Sequence, residues 1–298
     1  RRYIRMETMR KIKIVTDSAC DIPKELEERY QIRILPFSII IGDQAYTERK
    51  DFTNEEFYQV LATSHRLPST AQYTPMQFLD VYEEIWKEGY TDLIYVSINS
   101  KGSATHGNSL MAKKEFFEAH PEAAEHFAIH VVDSRSYTIA YGYPVVEAAK
   151  KAEKGASPEE IVAYLEDWFS CCRIYFAPYS LEFVKKSGRV SCAAAFVGEL
   201  MGLKPIISFV DGESKTVAKV RGDKAVIPAI LKLAKERMIP HTPYCIIGGS
   251  VQEYIDEMDA ESRKLFGYGS SMTATAGAAI SINAGHRIIG IIIKEKLK

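Results

Sequence analysis

The sequence lacks the features that mark secreted, membrane-spanning and metal-binding proteins. Its 298 residues include five cysteines without C-x-x-C spacing, which argues against a disulfide framework and structural zinc and favours a reducing compartment. No apolar run approaches the ~18–20 residues that a membrane-spanning helix needs. The 38 basic and 39 acidic residues nearly cancel, so no excess charge favours nucleic acid or an anionic membrane surface. We therefore predict a cytoplasmic globular protein with no metal, no nucleic-acid partner and no integral membrane association.

Common enzyme signatures are missing as well. The sequence has no P-loop (G-x-x-x-x-G-K-S/T), no G-x-G-x-x-G after a strand, no G-x-S-x-G and no H-E-x-x-H. The seven histidines show no metal-ligand spacing. His106 is more simply explained as an ordinary surface group beside a loop, or as a group that supports a neighbouring side chain, than as a base. The adjacent Cys171 and Cys172 are explained as packing residues of a helix. No complete pair of nucleophile and base is therefore legible.

Short apolar segments and amphipathic segments alternate through the first half of the chain. This alternation predicts a parallel sheet covered by helices on both faces. Asp21 is predicted to cap the helix after the first strand, with Pro23 in its first turn. The predicted strands are 11–17, 32–41, 92–98 and 128–134, and the predicted helices begin at Asn54 and at Thr74-Pro75 and cover 105–119 and 139–154.

The second half of the chain mixes a hairpin with helices. Residues 204–221 are predicted to form two strands around the turn dipeptide Asp211-Gly212. Predicted helices cover 158–171, 181–187, 193–202, 224–237 and 252–266. We therefore predict two α/β domains: an N-terminal three-layer, Rossmann-like parallel-sheet domain over 10–168, and a C-terminal α/β domain with a mixed sheet over 169–298.

Four segments rich in hydroxyl side chains stand at strand ends or before a helix. Residues 16–21, 97–107 and 133–137 each follow a predicted strand, and 68–75 precedes a helix. The carboxyl ends of parallel strands face the ligand crevice, and loops that open helices offer N–H groups to an anion. Each segment alone is explained as well by helix caps and turns. Together they favour a shared crevice with many hydrogen-bond donors.

The same segments carry a resemblance to the DegV family. "KIKIVTDSACDIPKEL" (11–26) looks like the opening of these proteins, and "PSTAQYTP" (68–75) resembles their "TSQPS" segment, with Thr70 at the threonine. "NSKGSATHGNS" (99–109) is similar to "SS-x-LSGTYQS", with Ser103 and Thr105 kept. The most specific similarity is the block from "LEFVKKSGRVS" to "KVR" (181–221). The resemblance runs from about residue 11 to 295.

The resemblance implies a fold and a function. DegV proteins have two α/β domains and a lipid pocket, which here implies that the C-terminal domain holds that pocket. They bind a long-chain fatty acid such as palmitate, stearate or oleate, and no other cofactor. In bacteria with a fatty acid kinase, such a protein presents the bound acid to a separate ATP-binding subunit. The resemblance therefore implies a lipid-binding subunit without activity alone.

The resemblance also implies site residues. Thr70 and Ser103 would donate hydrogen bonds to the fatty acid carboxylate, and Asn283, in "NAGHRIIG", stands where the family often has a histidine. An asparagine amide can donate, but it cannot become a cation. Arg189 and Arg221 match family arginines that brace loops, dock the kinase subunit or steady the phosphate. Further candidates that would support the carboxylate are Ser100, Thr105, Arg173 and His286.

Two other functions fit the residues. A stand-alone phosphotransferase or hydrolase would use the same crevice with Asp17 and Asp133, and it would turn over substrate in isolation. A regulatory lipid sensor would bind the same ligand and dock onto another protein. Segments 174–183 and 193–203 are candidate walls for an acyl chain, and each is equally well explained as ordinary core.

Overall fold

A computed structural model describes residues 9–196 and 202–296 as strands and helices in the order that follows. The strands are β1 (Ile12–Asp17), β2 (Arg33–Leu35), β3 (Ser38–Ile41), β4 (Gln44–Thr47), β5 (Ser69–Ala71), β6 (Asp92–Ser97), β7 (Ala128–Asp133), β8 (Cys172–Pro178), β9 (Leu203–Val210), β10 (Glu213–Arg221), β11 (Cys245–Gly248), β12 (Met272–Thr275) and β13 (Ile288–Lys294). The helices are α1 (Lys24–Arg29), α2 (Asn54–Thr63), α3 (Pro75–Lys87), α4 (Thr105–Ala119), α5 (Ile139–Glu153), α6 (Pro158–Cys171), α7 (Glu182–Lys186), α8 (Ser191–Ala194), α9 (Val226–Arg237), α10 (Gln252–Phe266) and α11 (Ala278–Ala284).

The first sheet is parallel, in the strand order β2-β1-β6-β7. Its strands are short and apolar, as expected for a sheet with helices packed on both faces. All six residues of β6 are buried. The helix pairs α3/α4 and α5/α6 provide this cover. The predicted parallel α/β architecture of the first half is confirmed.

The second sheet is mixed, in the strand order β10-β9-β8-β13-β11-β12. β11 and β12 run parallel, whereas the other neighbouring pairs are antiparallel. The predicted hairpin forms β9 and β10, and Asp211 and Gly212 between them have φ values of 51° and 78°. Two successive positive φ values suit the tight turns that follow the natural twist of a hairpin. The predicted mixed sheet is confirmed.

Two local predictions were wrong. Segment 32–41 is not one strand, because it divides at Pro36 into β2, which joins the parallel sheet, and β3, which joins a small antiparallel sheet β4-β3-β5. Proline has no N–H to donate to a ladder. Asp21 does not cap α1, whose N-cap is Pro23. The Asp21 carboxylate instead accepts hydrogen bonds from Thr138 and from the Gly277 amide.

The remaining helices lie close to their predicted positions. Thr53, Thr74 and Ser157 each form a reciprocal capping box at the start of α2, α3 and α6. The helix predicted over 193–202 overlaps α8 only at residues 193–194 and is wrong at 195–196 and 202, whereas residues 197–201 lie outside the described residues. None of the helices within 9–196 and 202–296 is long and apolar enough to cross a membrane.

The proposed domain boundary at residue 168 lies within α6 and stays a prediction. The strands of the parallel sheet come from residues 12–133, and those of the mixed sheet from residues 172–294. One cluster of buried apolar side chains nevertheless includes members of both sheets, such as Val96 of β6 and Ile174 of β8. The two sheets therefore pack against a shared core, and a cavity lies where the loops of the first meet the second.

Candidate functional site

The cavity lies between the hydroxyl-rich loops and the mixed sheet. Its space, including the mouth that opens to solvent, is about 930 Å³. The sheet contributes an apolar wall made by five side chains from four strands: Ile174, Phe176, Phe209, Ile247 and Ile288.

Strand alternation decides which side chains of β8 reach this wall. Successive side chains of a strand point to opposite faces, so Ile174 and Phe176 line the cavity while Arg173 and Tyr175 face away from it. Arg173 pairs with Glu295, with Nε 3.0 Å from Oε2. The structure therefore does not bring Arg173 to the cavity, although it was a candidate to support a bound carboxylate.

Three predicted site residues do meet at the cavity: Thr70 of β5, Ser103 before α4, and Asn283 of α11. The Ser103 hydroxyl donates to Thr105 Oγ1 at 2.9 Å. Asn283 Oδ1 accepts from Ser187 Oγ at 2.7 Å, and its Nδ2 donates to the Ala279 carbonyl at 2.9 Å, which leaves one amide hydrogen. The Thr70 hydroxyl has no hydrogen-bond partner within the described part of the chain.

The other supporting candidates lie outside the cavity lining. Thr105 is buried and accepts from both Ser103 and the Tyr73 amide, so it holds the Ser103 loop. The Ser100 hydroxyl donates to Asp133. His286 lines a separate depression, where its Nδ1 lies 2.7 Å from Ser250 Oγ. Burial lowers the pKa of His286.

The two arginines predicted to dock a partner differ in position. Arg189 lines the cavity, and its Nε donates to the Gly102 carbonyl at 3.0 Å, beside Ser103. Among the described residues that line the cavity, Arg189 is the one charged side chain. Arg221 is exposed at the end of β10, opposite Leu203, and is not among the lining residues.

Two buried carboxyl groups hold α11, which carries Asn283, and the sequence analysis missed this role. The Gly277 amide donates to Asp21 at 2.9 Å, and the Ala279 amide donates to Glu48 at 2.5 Å. Burial raises the pKa of Asp21 to about 7 and that of Glu48 to about 8. The partners are more than two hundred residues apart, so no local sequence signal marks the contacts.

Asp17 and Asp133, which the enzyme hypothesis invoked, are both engaged in loop structure. Asp17 is fully buried and accepts from the Tyr95 and Tyr141 hydroxyls and from the Ile98 amide. Burial raises its pKa to about 6. Asp133 accepts from Ser100 and from the Arg135 amide. Across 9–196 and 202–296, no group of three His, Cys, Asp or Glu side chains is placed to hold a metal ion.

Tyr137 and Thr138 also line the cavity, and the sequence analysis singled out neither. Tyr137 ends the hydroxyl-rich segment 133–137 that follows β7, and Thr138 comes directly after it. That segment was marked for its hydroxyl side chains and for its place after a predicted strand. The carboxyl end of a parallel strand was therefore the useful signal, and it pointed to the segment but not to these two side chains.

Comparisons with known proteins bear on the family and the fold of this chain. The family model described as an uncharacterised protein of the DegV family matches residues 11–296. A DegV domain-containing protein of Caldanaerobacter subterraneus is 32% identical over 290 residues, which cover 97% of this chain and 100% of that protein. A Thermus thermophilus structure described as showing fatty acid binding by a DegV family protein has a TM-score of 0.83, at 26% identity, over 96% of this chain and 100% of its own. A stearic acid-binding protein of Eubacterium ventriosum shares the fold, with a TM-score of 0.84 and 24% identity over 97% and 99% of the two chains.

Proposed function

The chain belongs to the DegV family, and from this premise we propose that it binds a long-chain fatty acid. The carboxylate lies at the polar end of the cavity, and the acyl chain lies along the apolar wall. The observation that carries this proposal is that one cavity is lined both by hydrogen-bond donors, from the loops and α11, and by aliphatic and aromatic side chains of the mixed sheet. The Thermus thermophilus relative, described as binding fatty acid, supports the same ligand class.

The acyl chain supplies the affinity in this proposal. Burial of a sixteen-carbon chain at ~0.8 kcal/mol per methylene gives roughly 12 kcal/mol before costs. Association and the ordering of the chain remove several kcal/mol of this gain. The remainder is enough for tight binding, so the polar end is needed mainly to satisfy the carboxylate and to fix its position.

The polar end offers neutral donors and one cation. Thr70 and the remaining Asn283 amide hydrogen donate to the carboxylate oxygens, and the Ser103 hydroxyl turns its hydrogen from Thr105 Oγ1 to the ligand. Arg189 balances the negative charge of the carboxylate, which the neutral Asn283 cannot balance. The Nε of Arg189 is held by the Gly102 carbonyl, whereas its two terminal nitrogens have no hydrogen-bond partner within the described residues. In this proposal Arg189 therefore acts at the head group rather than as a docking residue.

The test is extraction of the purified protein with organic solvent, followed by mass spectrometry of the extract. We expect one equivalent of a fatty acid with 16 to 18 carbons, and its length reports the length of the apolar wall. An extract without fatty acid, both before and after incubation with palmitate and oleate, would contradict the proposal and favour an enzyme that uses the same crevice.

We further propose that the chain presents its fatty acid to a separate ATP-dependent kinase subunit, which transfers a phosphoryl group to the carboxylate. Arg221, exposed at the end of β10, is the proposed docking residue. Arg221→Ala should leave palmitate binding unchanged and slow acyl phosphate formation by about tenfold, the effect of one interfacial charge pair. Lys232→Ala, at an exposed position of α9, is the matched control. Equal rates for the parent and Arg221→Ala would return Arg221 to a structural role.

A further inference from the structure

We infer that Tyr137 is a further head-group donor and that Asn99 positions its hydroxyl; this inference rests on the proposed function. Tyr137 lines the cavity, and its phenol oxygen lies beside the loop that carries Ser103. A β-carbon at Gly102, the residue before Ser103, would lie only 2.0 Å from that oxygen. Residue 102 is therefore a glycine for reasons of space, because the phenol occupies the volume of a side chain.

Asn99 fixes the direction of the phenol's hydrogen bond. Its Nδ2 donates to Tyr137 Oη at 3.1 Å and to the Gly212 carbonyl at 2.9 Å, while its Oδ1 accepts from the Lys101 amide at 3.2 Å. A carbonyl only accepts and a backbone amide only donates, so the two backbone contacts exclude the flipped amide. Tyr137 must then accept from Asn99, and its own hydrogen points elsewhere.

The phenol hydrogen has no acceptor in the described part of the protein. Tyr137 is 8% exposed, and its ring packs on Phe209 with the centroids 4.9 Å apart. Burial raises the pKa of Tyr137, so the hydroxyl stays protonated at neutral pH. A neutral phenol that already accepts one hydrogen bond, and that borders the cavity, is suited to donate to a carboxylate oxygen placed between Tyr137 and Ser103.

The backbone around Tyr137 is held in an unusual conformation. Thr138 has φ 53° and ψ −147°, a combination that a β-branched residue rarely adopts, and Arg135 also has a positive φ of 52°. The Thr138 hydroxyl donates to Asp21 at 2.7 Å, which keeps this conformation in place. The strained segment between Arg135 and Thr138 directs the ring of Tyr137 towards the cavity and Phe209.

Tyr137→Phe tests the donor role, with palmitate and 1-hexadecanol as ligands. A hydrogen bond to a carboxylate is worth enough that its loss weakens binding by ~10-fold or more. We expect this loss for palmitate and a change below ~3-fold for the alcohol, which carries no charge. Tyr179→Phe is the control, since that ring is buried outside the cavity. Equal palmitate affinity in Tyr137→Phe and the parent would overturn the inference.

Asn99→Asp tests the positioning role. An aspartate at this position accepts the phenol hydrogen and turns the donor away from the ligand. We expect palmitate binding to weaken as it does in Tyr137→Phe, with no further loss in the double variant, whereas additive losses would show that Asn99 does not act through Tyr137. If Asn99→Asp does not fold, the affinities of Tyr137→Phe for palmitate and for 1-hexadecanol decide whether Tyr137 is a donor. A parent protein that binds no fatty acid would instead contradict the proposed function itself.

Discussion

The apolar wall and the polar end of the cavity are built in different ways. Neighbouring strands of one sheet make the wall, and strand alternation places its side chains. The polar end brings together β5, two loops of the parallel sheet, the segment that carries Arg189, and α11. The wall therefore needs only apolar side chains of suitable volume, whereas the polar end depends on contacts between distant parts of the chain. This difference predicts how each half responds to substitution.

The largest expected effect comes from a charge in the apolar wall. Phe176 is buried and stacks on Phe209 with the centroids 6.1 Å apart. Phe176→Asp places a carboxylate against the acyl chain and should weaken palmitate binding by ~100-fold or more, because an unpaired charge in an apolar site is costly. Phe176→Leu keeps the apolar character and should stay within ~5-fold of the parent. Titration of both variants, with circular dichroism to confirm folding, makes the comparison. Retention of parent-like binding by Phe176→Asp would mean that the acyl chain lies elsewhere.

Removal of single donors at the polar end should have an intermediate effect. Ser103→Ala and Thr70→Val each remove one hydroxyl while nearly preserving shape, and each should weaken palmitate binding by about tenfold. Folding should change little, because the Thr70 hydroxyl has no described partner and Ser103 loses only local contacts, its bond to Thr105 Oγ1 and the one it accepts from the Thr105 amide. Ser100→Ala, which removes a hydroxyl bonded to Asp133 outside the cavity, is the matched control. If both variants bind palmitate as the parent does, the head group lies elsewhere.

The smallest expected effect on palmitate binding belongs to Glu48, one of the two carboxyl groups that hold α11, because its substitution should change stability instead. Burial raises the pKa of Glu48 to about 8, so the folded state keeps a proton that the unfolded state loses near pH 4.3. This group therefore makes stability fall as pH rises from about 4.3 to about 8, by at most ~1.4 kcal/mol per pH unit. Glu48→Gln removes this dependence.

Urea unfolding at pH 5, 6.5 and 8 measures that effect. The difference in unfolding free energy between Glu48→Gln and the parent should move in favour of the glutamine variant with each rise in pH. Glu115→Gln, at an exposed site of α4, should show no such trend. A constant difference for Glu48→Gln would mean that Glu48 is ionised in the folded protein.

Features fixed by neighbouring residues could be predicted from the sequence. The helix starts at Asn54 and at Thr74-Pro75 and the turn at Asp211-Gly212 each depend on a few adjacent residues, and each appears where the pattern indicated. The apolar segments likewise predicted the parallel sheet. The resemblance to a family then brought Thr70, Ser103 and Asn283 to attention, and the structure brings these three to one cavity.

Features fixed by distant contacts could not be predicted in this way. Asp21 is of a residue type that often caps helices, but its partners Thr138 and Gly277 become its neighbours only in the folded chain. Arg173 was a candidate because of its charge, although the alternation with Ile174 and Phe176 would have placed it on the opposite face. The buried amide of Asn99, which fixes Tyr137, has no signature in the sequence.

The hydrogen bond from Asn99 to Gly212 has a mechanical consequence. Gly212 lies in the turn of the β9–β10 hairpin, and Arg221 lies at the other end of the same ladder, about 31 Å away at 3.4 Å per residue. The turn is hydrogen-bonded to the loop that precedes Ser103, and the opposite end of the hairpin carries the exposed cation of Arg221. A ligand that displaces that loop would therefore also displace the turn of the β9–β10 hairpin, whose opposite end carries Arg221 at the protein surface.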